Sequence, residues 1–285
     1  MTRRLSSEPA GLLFLQFHGA SVVAAGAILT FLTIGCATTP PTQTGGTDTP
    51  RPLEATAEDG GRQKEEALIG AWSFEEDAGD RVRDGSRNGH HGTMRNARRV
   101  PGAIGRALRF TGENSGVDIP DAEGFHIGSS FTIEAWIRPE ALPPNAIGHD
   151  HGLVFFRGDS RKGMDPYRLT VWSDGTLRFS VVSAEDRDIE LKHPILLDTF
   201  SHVVGVLDVA SKKAQLYLNG ELVSEASTDV TPLVDLDPGA APGVGIGHHA
   251  GRDWWDYGFL GVIDEVRLYG RALSAAEVGA RAKAR

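Results

Sequence analysis

The segment His248-His249-Ala250-Gly251-Arg252-Asp253-Trp254-Trp255-Asp256-Tyr257 is the most unusual stretch of the 285 residues. Indole and phenol rings stack on the apolar faces of sugar rings. Carboxylate, guanidinium and imidazole groups bond the hydroxyls. Trp254, Trp255, Tyr257, Arg252 and Asp253 are therefore the candidate carbohydrate-binding residues. The bland alternative is that these rings pack over a sheet edge as a small satellite core. A second cluster, His149-Asp150-His151, offers imidazoles and a carboxylate to a transition metal. No third His is placed by sequence, and adjacent side chains on an extended loop point apart, so a solvated loop is expected there.

Catalytic signatures are missing. Retaining glycoside hydrolases hold two carboxylates about 5–5.5 Å apart. Here Asp264 and Glu265 are adjacent, which on a strand sends them to opposite faces, and Glu134 stands alone in FTIEAWI. There is no Gly-x-Ser-x-Gly elbow, no His-Glu-x-x-His and no phosphate loop. No catalytic residue is assigned, and the chain reads as a binding protein. Its net charge of −9 repels phosphate backbones, so nucleic acid is not an expected partner. The single cysteine, Cys36, excludes an intrachain disulfide and a thiolate zinc site of the four-ligand kind.

The position of that cysteine carries more information. Arg3 and Arg4 precede an apolar run from about Gly11 to Ile34, which ends in Leu32-Thr33-Ile34-Gly35-Cys36. A basic start, an apolar core and a small residue before the cut form an export signal. The ending resembles a bacterial lipobox, with Thr33 where Leu is usual. That resemblance implies lipidation of Cys36 as the first mature residue. The alternative is an uncleaved anchor, since the run is long enough to span a bilayer. Either reading places the remainder in the cell envelope, outside the cytoplasm. Residues 37–66 are rich in Pro, Thr, Gly and charge, and read as a disordered linker.

The elements that must position the candidate residues begin at about Ala67. Short runs of Val, Ile, Phe, Trp and Leu alternate with Gly, Asp and Asn. In Phe131–Arg138 the apolar residues fall at every second place, as a strand with one buried face requires. Asn219-Gly220 and Asp174-Gly175 predict tight hairpins. Ser274-Ala275-Ala276-Glu277 has the spacing of a capping box and predicts a short C-terminal helix. The pattern predicts an all-β sandwich of two antiparallel sheets over 67–285.

The order of these pieces resembles bacterial laminin-G-like, concanavalin A-like lectin domains. LIGAWSFEEDAG and the turn Asp84-Gly85-Ser86-Arg87-Asn88-Gly89 open it, and VPGAIGRALRF follows. FTIEAWIRP and LYLNG come next, and GVIDEVRLY with RALS closes it. The resemblance covers about residues 68–278 and implies a jelly-roll sandwich. It also implies a structural calcium, with Asp84, Asn88 and Asp264 at the matching positions. Oxygen-rich turns suit that ion, although Asp84 and Asn88 serve equally well as simple turn formers. The resulting expectation is an envelope-tethered, lectin-like module that binds carbohydrate or glycoconjugate without catalysis. A protein-interaction or structural envelope module is one alternative, with another envelope protein as its partner. A divergent glycan-active hydrolase or lyase is the other.

Overall fold

The computed structural model describes residues 67–112, 114–145, 150–159, 161, 165–249 and 257–284. The signal, anchor and linker expectations, Cys36 included, lie outside these residues. Among the described residues no helix is long and apolar enough to cross a membrane.

Sixteen strands are described: β1 (Leu68–Trp72), β2 (Arg81–Val82), β3 (Gly92–Arg95), β4 (Arg98–Pro101), β5 (Arg106–Thr111), β6 (Gly116–Pro120), β7 (Phe131–Pro139), β8 (His151–Gly158), β9 (Tyr167–Trp172), β10 (Thr176–Val182), β11 (Asp188–Pro194), β12 (Ser201–Asp208), β13 (Lys213–Leu218), β14 (Glu221–Ser227), β15 (Gly243–Ile246) and β16 (Leu260–Tyr269). One helix, α1 (Ala275–Lys283), closes the order. Sheet A runs β14-β13-β12-β7-β16-β5-β4, with β1 also paired to β16. Sheet B runs β11-β10-β9-β8-β15-β6-β3-β2. Every pairing is antiparallel, so each strand can carry one apolar and one polar face.

The inward faces of both sheets make one core. Phe131, Ile133, Ala135 and Ile137 of β7 join Tyr167, Leu169 and Val171 of β9 and Leu177, Phe179 and Val181 of β10. The predicted alternation in β7 is therefore real. Gly205 lies opposite Phe179 because a Cβ there would fall 2.3 Å from the Phe179 ring. Asn219 (φ 52) and Gly220 (φ 85) form the expected two-residue turn between β13 and β14. The Asp174-Gly175 turn is longer. Gly175 N bonds Trp172 O at 3.0 Å, and of the pair only Gly175 has positive φ, at 76°. Ser173 is thus drawn into the loop, which suits the common three-residue type.

The helix begins where its capping box predicts. Ser274 accepts from Glu277 N, and the Glu277 carboxylate accepts from Ser274 N. Val278 then packs with Val204, Val206, Tyr217, Tyr269 and Leu273 against the outer face of sheet A. Beneath the helix lies a buried polar group. Glu134 Oε1 meets His202 Nε2 at 2.9 Å, and Tyr269 donates to Oε2 at 3.1 Å. Arg281 of α1 reaches Oε2 at 3.5 Å and lies 4.8 Å over the Tyr269 ring. Burial alone would raise the Glu134 pKa, but His202, Arg267 and Arg281 hold it below the usual carboxylate value.

Candidate functional site

Alternation fixes which side chains sheet B turns outward. With Leu169 and Val171 in the core, Arg168, Thr170 and Trp172 of β9 face away from it. Arg178 and Ser180 of β10 do the same. In β8 the pairing shifts between Leu153 and Phe155, so Val154 and Phe155 both enter the main core. Leu153 and Phe156 form a separate apolar cluster with Tyr257.

Four planar groups stand side by side across this outer face. The Arg178 guanidinium lies 3.9 Å from the Trp172 ring centroid. Trp172 stacks on His151 at 4.8 Å and 17°, and His151 stacks on Tyr257 at 4.4 Å and 28°. Because the planes face one another, the row turns polar and apolar ring edges outward. Each member is held from the side. Trp172 Nε1 donates to Thr170 Oγ1 at 3.0 Å, and Arg178 donates to Glu190 and Asp174, both at 2.7 Å. His151 Nδ1 meets Asp150 Oδ1 at 3.0 Å. Burial lowers the His151 pKa, opposed by Asp150, so the imidazole stays neutral at pH 7.

Beside the row, His249 packs on Phe156 with centroids 4.0 Å apart. His248 Nε2 lies 3.1 Å from Asp118 Oδ1, and Arg95 Nε holds Asp118 Oδ2 at 2.7 Å. Gly116 makes room for this, since a Cβ there would sit 1.7 Å from the His248 ring. At the other end Leu153 N donates to Tyr257 O at 2.9 Å. The segment singled out in the sequence is thus pinned to sheet B at both ends, by His248 and His249 and by Tyr257. Its candidates Arg252, Asp253, Trp254 and Trp255 lie outside the described residues, as does His149. Tyr257 packs on Leu153 and Phe156, as the satellite-core alternative expects, and it also stacks on His151.

Several arginines on this face have carboxylate partners. Arg95 pairs with Asp118, Arg168 with Asp165, and Arg178 with Asp174 and Glu190. Burial would raise Asp174, but Thr176 and Arg178 hold it low. Among the described residues the carboxylates held above their usual range are Asp264 and Glu265, which belong to sheet A. Sequence reasoning missed Trp172, Arg178, Phe156 and Glu190. The alternation in LTVWS could have exposed Trp172, whereas Glu190 lies on β11, which was not foreseen.

The three positions matched to calcium are not brought together. Asp84 Oδ1 accepts from Ala71 N and Ser86 N at 3.0 and 2.8 Å. Its Oδ2 accepts from Ser86 Oγ and His90 N at 2.7 and 2.9 Å. Asn88 spends its amide nitrogen on the Leu68 and Ile69 carbonyls at 2.8 and 2.9 Å. Both therefore tie their turn to β1, and Asp84 has no oxygen without a donor. Asp264 is different. It is fully buried, its Oδ2 accepts from Ile104 N at 3.0 Å, and its Oδ1 has no hydrogen-bond partner. Burial, with Glu265 nearby, pushes it up to about 7. Glu75, unforeseen in the sequence, accepts from Arg106 N at 2.8 Å in the same Gly102–Arg106 loop.

The alternation assumed for Asp264 and Glu265 also fails. The β7–β16 pairing shifts between Asp264 and Arg267, and Glu265 has φ 50°. Such a bulge re-aims side chains. Glu265 pairs with Arg267 while Asp264 turns to the loop. Among the described residues no group of three or more His, Cys, Asp or Glu side chains is placed to hold a metal.

Comparison with known proteins agrees with the architecture. Domain 4 of AbnA, a GH43 extracellular arabinanase from Geobacillus stearothermophilus whose structure is in complex with arabinotriose, superposes with TM-score 0.55 and 22% identity. The match covers 76% of this chain and 98% of that one. The binding domain of Paraclostridial Mosquitocidal Protein 1 gives 0.57 and 18%, over 76% of this chain. The botulinum neurotoxin serotype D binding domain gives 0.59 and 13%, over 78%. This chain spans about half of each toxin structure, 52% in both cases. No curated protein matches the chain. The family model described as concanavalin A-like lectin/glucanases superfamily matches residues 111–279, and with two antiparallel sheets of the matching fold the chain belongs to that superfamily.

Proposed function

We propose that this chain is a non-catalytic carbohydrate-binding module whose ligand lies on the outer face of sheet B. The observation that carries the reading is the Arg178-Trp172-His151-Tyr257 row with its flanking hydrogen-bonding groups. The partly exposed aromatic rim, with the Asp174 and Glu190 oxygens beside it, offers apolar contact and hydrogen-bond acceptors side by side, as a sugar requires. The ion pairs at Arg95, Arg168 and Arg178 favour a neutral sugar, because these guanidinium groups already have carboxylate partners. The arabinotriose complex of the Geobacillus domain supports the ligand class. The absence of hydrolase spacing in the sequence supports binding without catalysis. The basic, apolar and Cys36 pattern of the N-terminus supports tethering to the envelope.

A calcium ion would be held through Asp264, one of the three positions the resemblance gives. Asp264 Oδ1 is a buried acceptor with no donor, and a hard cation seeks such oxygens. Bound there, the ion would supply charge compensation for a loop between β4 and β5.

The test is a thermal melt of the detergent-solubilised full chain against a panel of neutral oligosaccharides. At a hundredfold excess over Kd, a ligand adds about 2.7 kcal/mol of stability. We expect one sugar class to raise the melting temperature of the wild type and not of Trp172→Ala. No rise with any class, or an equal rise in the variant, would overturn the reading.

A further inference from the structure

The outer face of sheet A has a half that α1 does not account for. There Arg98 of β4 sits directly opposite Arg109 of β5. Arg109 sits opposite Val262 of β16, and Val262 opposite Arg138 of β7. Leu108, Phe110, Ile137 and Ile263 fill the core from these strands, so this register turns the three arginines outward. They form a straight line across four adjacent strands, spanning about 14 Å at the usual strand spacing. Like charges directly opposite one another destabilise a sheet. Nothing in the packing of this face offsets that cost at Arg98, which is exposed and makes no hydrogen bond, ion pair or ring contact among the described residues.

The row also shows how it takes a carboxylate. Glu140 bridges two of its members, with Oε2 accepting from Arg109 Nε at 2.7 Å and Oε1 from Arg138 Nη2 at 2.8 Å. Among the described residues three guanidinium charges thus face one carboxylate, on a chain whose net charge is −9. Arg138 further lies 4.9 Å over the ring of Phe200, which fixes the end of the line. Guanidinium is the group that matches carboxylate geometry with two parallel bonds.

We infer that this line is a second binding site, for a linear polysaccharide carrying carboxylates at intervals, such as a polyuronate. The inference does not depend on the reading of sheet B. A straight row of forked donors on β4, β5 and β7, with Val262 of β16 between the last two, fits a chain of carboxylates laid across the strands.

The experiment measures binding of the detergent-solubilised full chain to polygalacturonate and to its fully methyl-esterified form. We expect binding to the acid, at least tenfold weaker binding to the ester, and weakening with added salt. Arg98→Gln should weaken binding about threefold. It breaks no side-chain contact among the described residues and relieves the repulsion with Arg109, so a loss of binding cannot come from a weakened fold. The double variant Arg98→Gln/Arg109→Gln should lose at least tenfold, and Trp172→Ala should bind as the wild type. Equal binding of acid and ester, or unchanged binding by Arg98→Gln and the double variant, would overturn the inference. So would loss of binding in Trp172→Ala, which would put the acid on sheet B. Competition by single-stranded DNA as strong as by oligogalacturonate would replace carboxylate recognition with bare charge, and would overturn it too.

Discussion

The outer faces of the two sheets use the same residue types for different ends. Under α1, sheet A buries Glu134 at 1% exposure and surrounds it with His202, Tyr269 and Arg281, so its aromatic and charged groups satisfy one another inside the fold. Sheet B lines up Arg178, Trp172, His151 and Tyr257, and holds them by groups at their flanks. A helix has taken the place of a ligand on one face. On the other, the ends of the His248–Tyr257 segment frame a row that is built but only partly covered. The comparison teaches that aromatic and charged content alone does not mark a site; what matters is whether another element of the fold covers it.

The comparison breaks if the two faces respond alike to substitution. The largest effect is expected at Glu134→Ala, which strands His202, Arg267 and Arg281 beneath the helix. Loss of one member of a buried charged network costs about 3–5 kcal/mol. Denaturant titration should show that loss with glycan affinity intact at low denaturant. The acid limb sharpens the point. The folded-state pKa of Glu134 lies below 4.5, so its contribution is present above pH 4.5. It is lost as pH falls through the folded value.

Asp264 has the opposite sign. Its pKa is raised from 3.8 to about 7, so its contribution is present below pH 3.8 and is lost as pH rises through 7. In chelator at pH 8, Asp264→Asn should therefore raise stability, by up to about 4 kcal/mol on the scale of 1.36 kcal/mol per pKa unit. Calcium should stabilise the wild type and not the variant. A variant less stable than wild type in chelator would show that the carboxylate is not a burden to the metal-free fold.

Much of the architecture was legible. Apolar alternation marked β7, Asn-Gly marked one hairpin, and Ser274 with Glu277 marked the helix, because each signal is local. The strands that escaped were mostly at or next to sheet edges. β4 reads Arg-Arg-Val-Pro and β11 reads Asp-Ile-Glu-Leu-Lys-His-Pro, and the charges and prolines that protect an exposed edge also hide the strand. The site was legible as one segment only. Trp172 and Arg178 lie on different strands from Tyr257, and only the register of β8, β9 and β10 places them side by side. The Asp84 and Asn88 turn reads as a turn former and as a cation site alike, because both uses draw on the same oxygen-rich residues. The four donors on Asp84 show the turn-forming use.

Two smaller effects complete the contrast. Trp172→Ala should weaken glycan binding at least tenfold, about 1.4 kcal/mol. Trp172 is only half-buried, so the melting temperature without ligand should change little. Ser274→Ala removes the helix cap and should cost about 1 kcal/mol of stability without touching glycan affinity. Calorimetric titration and thermal melts on the same samples separate the two.

The most direct test of a ligand face on sheet B is a crystal structure of the chain with the neutral oligosaccharide that gives the largest thermal shift. The account predicts sugar density against Trp172, His151 and Tyr257. Density confined to sheet A, or to the recess of about 350 Å³ lined by Asp77, Arg99 and Arg106, would contradict it.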